Sequence, residues 1–453
     1  MGSSSPSVDL DDPDAPLLRS RSYFYHIMAV KASLRQRFLG LLRCRADLSH
    51  PVKKKRVTYR LVIFLPLLAL LTFALVILYY AVAFSILRVV QPPAPRNGLQ
   101  DIMDHWKGPG SADLSNIDRY TFAAGVKPIP CHSHNDYSQR VPLFQGLSVG
   151  CTSTEADVYL PAVQSHTTDL LIAHKRGATT SSRTLRSLYL DPLLAILTAV
   201  NVGSADSAKH GVYSSTQSNQ TLRLLIDVKE TRSIRIASTF YLLQQQLQPL
   251  RQAGYLTTYN TSTSTLVMRP LTIIMTGSAE LSHITNHTLN PFHDVFLDAP
   301  LHDLYPSGAE SPYNISNSCM ASTSLATRVG KPNMLTGKLS KSQLAKIDEQ
   351  VAGARKLGLG ARYWGTPTWP VGVRSGIWWE MLTRVDPTSW LGDAGDVDTE
   401  ATEDGGSTGW VNVDDLEVFR RWDWDTGAGR RGTSTLLDWC WFLGRIIGDG
   451  VCR

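Results

Sequence analysis

The sequence has little cysteine, and its cysteines do not have the spacing of a metal site. Its 453 residues include six cysteines, with no CxxC motif and no cysteine–histidine cluster. Structural zinc sites use such clusters, so a zinc finger or zinc ribbon is excluded. Some cysteines can pair in an oxidising compartment, although their spacing does not give the connectivity. They are Cys44, Cys131, Cys151, Cys319, Cys440 and Cys452.

Excess positive charge is also missing from most of the chain. The net charge is +6, but residues 1–60 hold twelve Lys and Arg against five Asp and Glu. The remaining residues hold 33 basic and 34 acidic side chains and are close to neutral. Because proteins that bind nucleic acid need clustered cations on the folded part, we expect no nucleic-acid partner.

One long apolar segment is present near the N-terminus. No charged side chain interrupts residues 61–87, which are enough to cross the roughly 30 Å hydrocarbon core of a bilayer. The apolar region of a signal peptide is shorter and lies nearer the N-terminus. The sequence therefore predicts a disordered basic tail at 1–59, a transmembrane helix at 60–87 and a stalk at 88–125.

The charges around this segment predict its orientation. The run KKKR at 53–56 precedes it, so the positive-inside rule keeps the N-terminus cytoplasmic. This is a single-pass type II topology with a lumenal or extracellular C-terminal domain. The tail contains acidic residues, which transit peptides lack, so we expect the secretory pathway. Four glycosylation sequons follow the span, at Asn219, Asn260, Asn286 and Asn314.

Short apolar runs alternate with helical stretches from residue 126 onward, as in parallel α/β folds. A helix is predicted at 339–357. Strands are predicted at 126–131, 153–159, 170–174, 222–228, 271–276, 294–298, 361–365 and 409–413. Eight strands indicate a TIM-type (β/α)₈ barrel with insertions over 126–420, although a doubly wound sheet gives a similar count. Residues 421–453 form an extension of unknown structure.

Polar motifs follow the first four predicted strands, where barrel enzymes place their active sites. Residues i and i+2 of a strand face the same side, so Glu155 with Asp157, and Asp227 with Lys229, can enter one barrel mouth. Adjacent buried carboxylates repel each other unless a cation accompanies them. Three hard oxygen donors, Glu155, Asp157 and Asp227, favour Mg²⁺, with Ca²⁺ as the alternative.

Two histidines accompany these carboxylates, His132 after the first predicted strand and His174 after the third. Histidines can act as base and acid near neutral pH. A divalent ion and Lys229 would neutralise charge that develops on a phosphoryl group. Together these side chains supply what the cleavage of a phosphodiester needs.

The segments PCHSHNDY, PLFQGLSVGCTSTEADVYL, LLIAH and TLRSLYLDPLLAIL resemble the fungal altered inheritance of mitochondria protein 6 family. The resemblance covers about residues 125–420, and ARYWGTPTWP, RSGIWWEML and VNVDDLEV support it. That family belongs to the phospholipase C-like phosphodiesterases, with glycerophosphodiester phosphodiesterases and sphingomyelinase D. The superfamily pattern of H-x-x-N, E-x-D, a second histidine and D-x-K falls on His132, Asn135, Glu155, Asp157, His174, Asp227 and Lys229.

The resemblance implies a role for each of these residues. Mg²⁺ would be held by Glu155, Asp157 and Asp227. His132 and His174 would be the catalytic acid and base, assisted by Lys229. Asn135 and Trp364 would contact the substrate. His134 could replace His132, but the H-x-x-N spacing to Asn135 favours His132.

The expected function is a membrane-anchored, metal-dependent phosphoric diester hydrolase that acts on a glycerophosphodiester or a phospholipid headgroup. One alternative is an amidohydrolase-type zinc hydrolase that uses His132 and His134, with further ligands among His283, His287 and His293. The E-x-D motif has no role in that class. A second alternative is a non-catalytic, membrane-anchored binding domain on an inactive barrel, but no catalytic residue of the pattern is lost.

Overall fold

The computed structural model describes residues 51–90, 96–162, 167–205, 209–306, 308, 310–333, 337–368, 371–385 and 409–420. The chain divides into two compact units, Met1–Ser85 and Ile86–Arg453. The predicted tail before residue 51 and the predicted extension at 421–453 lie outside the described residues.

Helix α1 (Pro51–Val90) contains the predicted membrane span. Its segment Val62–Val82 has a mean hydropathy of 2.8, and none of it is buried. A run of exposed apolar side chains of this length could cross a membrane, whereas a core helix would be covered by protein.

Within the described residues, eight parallel strands close into a barrel, which confirms the predicted fold class. The last strand pairs with the first, and the register joins His132 to Asn412. The strands are β1 (Ile129–Ser133), β2 (Cys151–Tyr159), β3 (Leu222–Val228), β4 (Leu271–Gly277), β5 (Val295–Pro300), β6 (Ser318–Ser324), β7 (Gly360–Trp364) and β8 (Trp410–Val413). A separate antiparallel hairpin joins Thr258–Asn260 to Thr265–Val267.

One predicted barrel strand was wrong, and one barrel strand was missed. The segment predicted at 170–174 forms only a two-residue strand, Leu171–Ile172, which pairs antiparallel with the end of β2 outside the barrel. The sixth barrel strand, β6, was missed because its sequence SCMASTS contains small and polar residues instead of an apolar run. Its interior-facing Ser322 instead lies in a polar network inside the barrel.

Residues 98–125 belong to the folded domain, in contrast to the predicted stalk. Helix α2 (Gly98–His105) begins after Asn97, whose side chain accepts a hydrogen bond from the backbone of Gln100. Its apolar face is buried in the main hydrophobic core together with Phe122. This helix therefore packs on the barrel and does not act as a spacer.

Further helices surround the barrel. The predicted helix at 339–357 is observed as α8 (Lys341–Lys356), which starts after a capping box formed by Ser340 and Gln343. In chain order the helices after α2 are α3 (Phe144–Val149), α4 (Asp191–Val200), α5 (Ser233–Gln246), α6 (Gln248–Gln252), α7 (Leu281–Ile284), α8 (Lys341–Lys356), α9 (Val371–Val385) and α10 (Leu416–Arg420).

The barrel interior has an apolar part and a polar part. Leu225, Ile274, Met320 and Trp410 form a buried apolar cluster near its middle. Closer to the carboxyl ends of the strands, the buried guanidinium of Arg362 donates hydrogen bonds to Asn412, Ser322 and Asp298. The polar side chains therefore collect at the mouth where the predicted site lies, above an apolar floor.

Candidate active site and metal centre

Three carboxylates converge at the carboxyl ends of β2 and β3. Asp157 and Asp227 lie directly opposite each other in the register of these strands, and Glu155 precedes Asp157 on the same face of β2. One oxygen atom from each of the three lies within 4.8 Å of the others. The i, i+2 spacing on parallel strands thus produces the arrangement that the sequence predicts.

The electrostatics of this cluster fit a bound cation. Oδ1 of Asp157 and Oδ1 of Asp227 are buried, and neither has a hydrogen-bond partner among the described residues. Burial, followed by the charges of Glu155 and Asp227, raises the pKa of Asp157 to about 6. Burial also raises the pKa of Asp227. Three hard oxygen donors whose negative charge is poorly compensated are suited to Mg²⁺ or Ca²⁺.

Lys229 covers one side of the cluster. Its Nζ lies 2.6 Å from Oδ2 of Asp227 and 3.1 Å from Oδ2 of Asp157. Burial lowers the pKa of Lys229, but the two carboxylates outweigh this effect and raise the pKa above its ordinary value. The lysine is therefore charged, and it leaves the Oδ1 atoms of both aspartates available to a ligand.

Gly277, at the end of β4, borders the cluster at close range. Its backbone has φ of +72°, and a Cβ at this position would lie 2.0 Å from Oδ1 of Asp227. A side chain here would therefore displace one of the candidate ligand atoms as well as strain the backbone.

His132, at the end of β1, is fully buried. Its Nδ1 lies 2.7 Å from Oγ of Ser153. Its Nε2 has no hydrogen-bond partner in the described part of the chain and lies 4.0 Å from Oε2 of Glu155. Burial, followed by the charges of Arg362 and His134, holds the pKa of His132 well below its usual range. The ring is therefore neutral in this environment.

His134 also reaches Glu155, but both of its ring nitrogens face a carboxylate. Nδ1 lies 2.5 Å from Oδ1 of Asp414, just after β8, and Nε2 lies 3.6 Å from Oε2 of Glu155. Burial lowers the pKa of His134, but the hydrogen bond to Asp414 and the charge of Glu155 outweigh it, so the pKa is raised. Asp414 had no role in the sequence prediction, although it directly follows the predicted eighth strand at 409–413, which pairs with β1 where the barrel closes.

Tyr137 connects three of the predicted site residues. Its hydroxyl lies 2.5 Å from Oδ1 of Asn135, 2.8 Å from Oδ2 of Asp157 and 3.1 Å from Nδ1 of His174. The imidazole of His174 lies at the rim, with 65% of its side chain exposed. The sequence prediction missed Tyr137, although its place two residues after Asn135 in HSHNDY was a usable signal.

Asn135 adopts a left-handed backbone conformation with φ of +49°. This turn directs its backbone N–H to Oε2 of Glu155, at 2.8 Å. Asn135 therefore helps to hold a candidate metal ligand, a role the sequence did not indicate.

Trp364 lies elsewhere on the same rim. It ends β7, is 44% exposed, and lines a cavity of about 490 Å³ at the carboxyl ends of β4 to β7. The structure thus places Trp364 on one side of the mouth and the other predicted site residues together on the opposite side. These are His132, Asn135, Glu155, Asp157, His174, Asp227 and Lys229.

The histidines required by an amidohydrolase-type zinc site are engaged elsewhere. His283 stacks on Phe240, with ring centroids 5.4 Å apart, and His287 packs edge-to-face against His293. Among the described residues, Glu155, Asp157 and Asp227 form the one cluster suited to a metal.

The sequence profile of the AIM6-like phosphodiesterase domain matches residues 120–298. This segment runs from the residues before β1 into β5 and contains the whole acidic cluster with its histidines. The barrel and this match place the chain among the phosphodiesterase-like barrel proteins.

The chain belongs to the altered inheritance of mitochondria protein 6 family, as its sequence motifs predict. It is 37% identical over 280 residues to the altered inheritance of mitochondria protein 6 homolog of Arthroderma benhamiae, covering 59% of this chain and 83% of that protein. It is 35% identical over 293 residues to altered inheritance of mitochondria protein 6 of Eremothecium gossypii, covering 62% and 73%. With the protein of that name from Saccharomyces cerevisiae strain YJM789 the identity is 34% over 262 residues, covering 55% and 64%.

Proposed function

We propose that this protein is a membrane-anchored, metal-dependent phosphoric diester hydrolase that acts on a glycerophosphodiester or a phospholipid headgroup. The observation that carries the proposal is the cluster of Glu155, Asp157 and Asp227, in which two buried carboxylate oxygens lack partners among the described residues. The family profile supports the reaction class, since it describes a phosphodiesterase domain.

In this proposal Glu155, Asp157 and Asp227 would hold Mg²⁺, or Ca²⁺ in its place. When bound, the ion supplies positive charge to the phosphoryl oxygens. Lys229 adds a second cation beside Asp157 and Asp227, so charge that develops on the phosphoryl group would be neutralised from this side of the mouth.

Two histidines flank the cluster and provide proton transfer. His174 approaches Asp157, with 3.4 Å between Nδ1 and Oδ2, whereas His132 approaches Glu155. When two such groups lie on opposite sides of a phosphoryl group, one can take a proton from the attacking oxygen and the other can give a proton to the leaving oxygen. We assign His132 and His174 this pair of roles, because Nε2 of His132 is not engaged by any described residue.

His134 is assigned a positioning role. Its Nδ1 is hydrogen-bonded to Asp414, and its Nε2 lies 3.6 Å from Oε2 of Glu155, so the ring helps to hold the Glu155 carboxylate in place through its charge. Tyr137 positions His174 in a similar way. If its hydroxyl donates to Asp157, its oxygen can accept from Nδ1–H of His174, which leaves Nε2 of that ring as a proton acceptor.

The anchor and compartment are part of the proposal. Helix α1 would hold the barrel close to lipid in the type II orientation. A disulfide joins Cys131 on β1 to Cys151 on β2, which is consistent with an oxidising lumen. The four sequon asparagines are exposed on the barrel side of the span, where glycosylation enzymes of the secretory pathway would reach them.

The test uses the full-length protein in detergent and a panel of glycerophosphodiesters and phospholipids. We expect hydrolysis with Mg²⁺, loss of hydrolysis with EDTA, and recovery when Mg²⁺ is restored. His132→Ala and His174→Ala should each lower turnover by roughly 10²–10⁴-fold. Hydrolysis that persists in EDTA, or that neither variant reduces, would contradict the proposed mechanism.

A further inference from the structure

A cavity occupies the half of the barrel mouth opposite His132 and His174. Its volume of about 490 Å³ is within the range of small-molecule sites. Residues at or just after the carboxyl ends of β4, β5, β6 and β7 line it. They include Gly277, Glu280, Asp298, His302, Arg328 and Trp364.

This cavity adjoins the acidic cluster. Gly277 lines the cavity. Because this residue has no side chain, its backbone lies close to Oδ1 of Asp227. A substrate whose phosphodiester lies at the cluster can therefore extend one of its ester groups into the cavity. The cavity is thus placed to contact the part of the substrate that differs between headgroups.

Arg328 provides the cavity with a cation. It lies in a π-helical turn, Leu325–Val329, that directly follows β6 and is capped by Ser324, whose Oγ accepts from the backbone N–H of Thr327 at 3.3 Å. Such turns are frequent at functional sites. Across the described ranges, no carboxylate lies within ion-pair distance of Arg328.

The other charged groups of the cavity do not neutralise this arginine. Asp298 accepts a hydrogen bond from the guanidinium of Arg362. Glu280 caps the short helix α7. Burial, followed by the charge of Arg328, lowers the pKa of His302, so this imidazole is neutral near pH 7 and Arg328 is the cation of the cavity.

We propose that this cavity is a second subsite, in which the guanidinium of Arg328 binds an anionic group that the substrate carries beyond its scissile phosphodiester. The inference rests on the proposed function, which places the scissile phosphodiester at the acidic cluster. It narrows the substrate class to headgroups that carry a carboxylate or a second phosphate. The planar guanidinium can bind both oxygens of such a group, and Trp364 borders the same cavity.

The test compares two probes that differ by one carboxylate, phospho-L-serine and phosphoethanolamine. Both carry a phosphate and an ammonium, so Glu280 and Asp298 act on both alike. Calorimetric titration of the full-length protein in detergent with Mg²⁺ should show phospho-L-serine binding about tenfold more tightly. In Arg328→Gln this preference should disappear while the affinity for phosphoethanolamine stays the same.

Arg186→Gln is the matched control, because Arg186 is also an exposed arginine in a π-helical turn but does not line the cavity. It should keep the preference, and both variants should keep the wild-type thermal midpoint. Equal affinities in the wild type, or a preference that survives Arg328→Gln, would overturn the subsite.

Hydrolysis of glycerophosphoserine and glycerophosphoethanolamine separates this inference from the proposed function. If neither these two substrates nor any other member of the panel is cleaved, but the binding preference is present and depends on Arg328, the subsite stands and the hydrolase assignment fails. If both are cleaved at equal kcat/KM and Arg328→Gln changes neither, the hydrolase assignment stands and the subsite fails.

Discussion

Nδ1 of His134 lies 2.5 Å from Oδ1 of Asp414, although 280 residues separate them in the sequence. The contact exists because β8 closes the barrel against β1, where the backbone N–H of His134 donates to the carbonyl of Val413. A carboxylate held against one ring nitrogen fixes the orientation of the other, which here faces Glu155. The last strand of the barrel therefore helps to position a candidate metal ligand on the second.

The first prediction concerns this pair. His134→Ala and Asp414→Asn should each lower kcat by about tenfold, and the double variant should lose little more than His134→Ala alone, because the two residues act as a unit. Asp415→Asn is the neighbouring control, since Asp415 pairs with Arg374 instead. A loss in His134→Ala as large as that in His132→Ala would instead make His134 an acid or base.

The second prediction concerns metal and stability. Saturating Mg²⁺ should raise the thermal midpoint of the barrel, because a ligand at about 100 times its Kd adds about 2.7 kcal/mol of stability. Asp227→Asn should abolish this increase, while Asp113→Asn, an exposed position, should retain it. A metal-dependent increase that is unchanged in Asp227→Asn would place the ion elsewhere.

The third prediction separates backbone strain from steric contact. Gly277→Ala combines a positive φ with a Cβ 2.0 Å from Oδ1 of Asp227. Gly203→Ala has φ of +74° and nothing within 4 Å of its Cβ, so it reports the strain alone. We expect a stability loss of about 1–3 kcal/mol at Gly203 from strain alone, and a larger loss at Gly277, where the steric contact adds to the strain. Loss of the Mg²⁺-dependent stabilisation should occur only at Gly277, and its retention there would contradict the assigned contact.

The fourth prediction concerns Tyr137. Tyr137→Phe removes the hydroxyl shared by Asp157, Asn135 and His174, so kcat should fall by about 10- to 100-fold with little change in KM. Tyr120→Phe, at a side chain that is 70% exposed, should have wild-type kinetics. The measurement is steady-state kinetics of both variants on one soluble glycerophosphodiester. An unchanged kcat in Tyr137→Phe would contradict the role of Tyr137 in positioning His174.

The fifth prediction concerns topology. Protein expressed in a eukaryotic secretory system should lose mass on treatment with peptide N-glycosidase. The loss should shrink as Asn219, Asn260, Asn286 and Asn314 are each replaced by Gln. No mass change, together with protease sensitivity of the barrel in sealed microsomes, would place this domain on the cytoplasmic side.

The sequence predicted those parts of the fold and site that depend on local patterns. Apolar runs gave β3 and β4 nearly to the residue, and the i, i+2 rule correctly placed Glu155 with Asp157 on one strand face. The strand β6 was missed because its interior side chains serve a polar network instead of an apolar core.

Contacts between distant segments could not be predicted in the same way. Asp414 acquires its partner only through barrel closure. The buried pair of Arg362 and Asp298 joins β7 to β5 across the interior, and neither local sequence shows that an ion pair will form. The sequence around Arg328 does not distinguish it from other surface arginines, and only the structure shows that it lines a cavity.

The most direct test of the central claim is a ³¹P NMR time course of glycerophosphodiester cleavage by the full-length protein in detergent. With Mg²⁺, the phosphodiester resonance should decline and a phosphomonoester or cyclic phosphate should appear. EDTA or Asp227→Asn should stop this conversion, whereas Asp113→Asn should not. Cleavage that continues in EDTA at the wild-type rate, or in Asp227→Asn, would contradict the account.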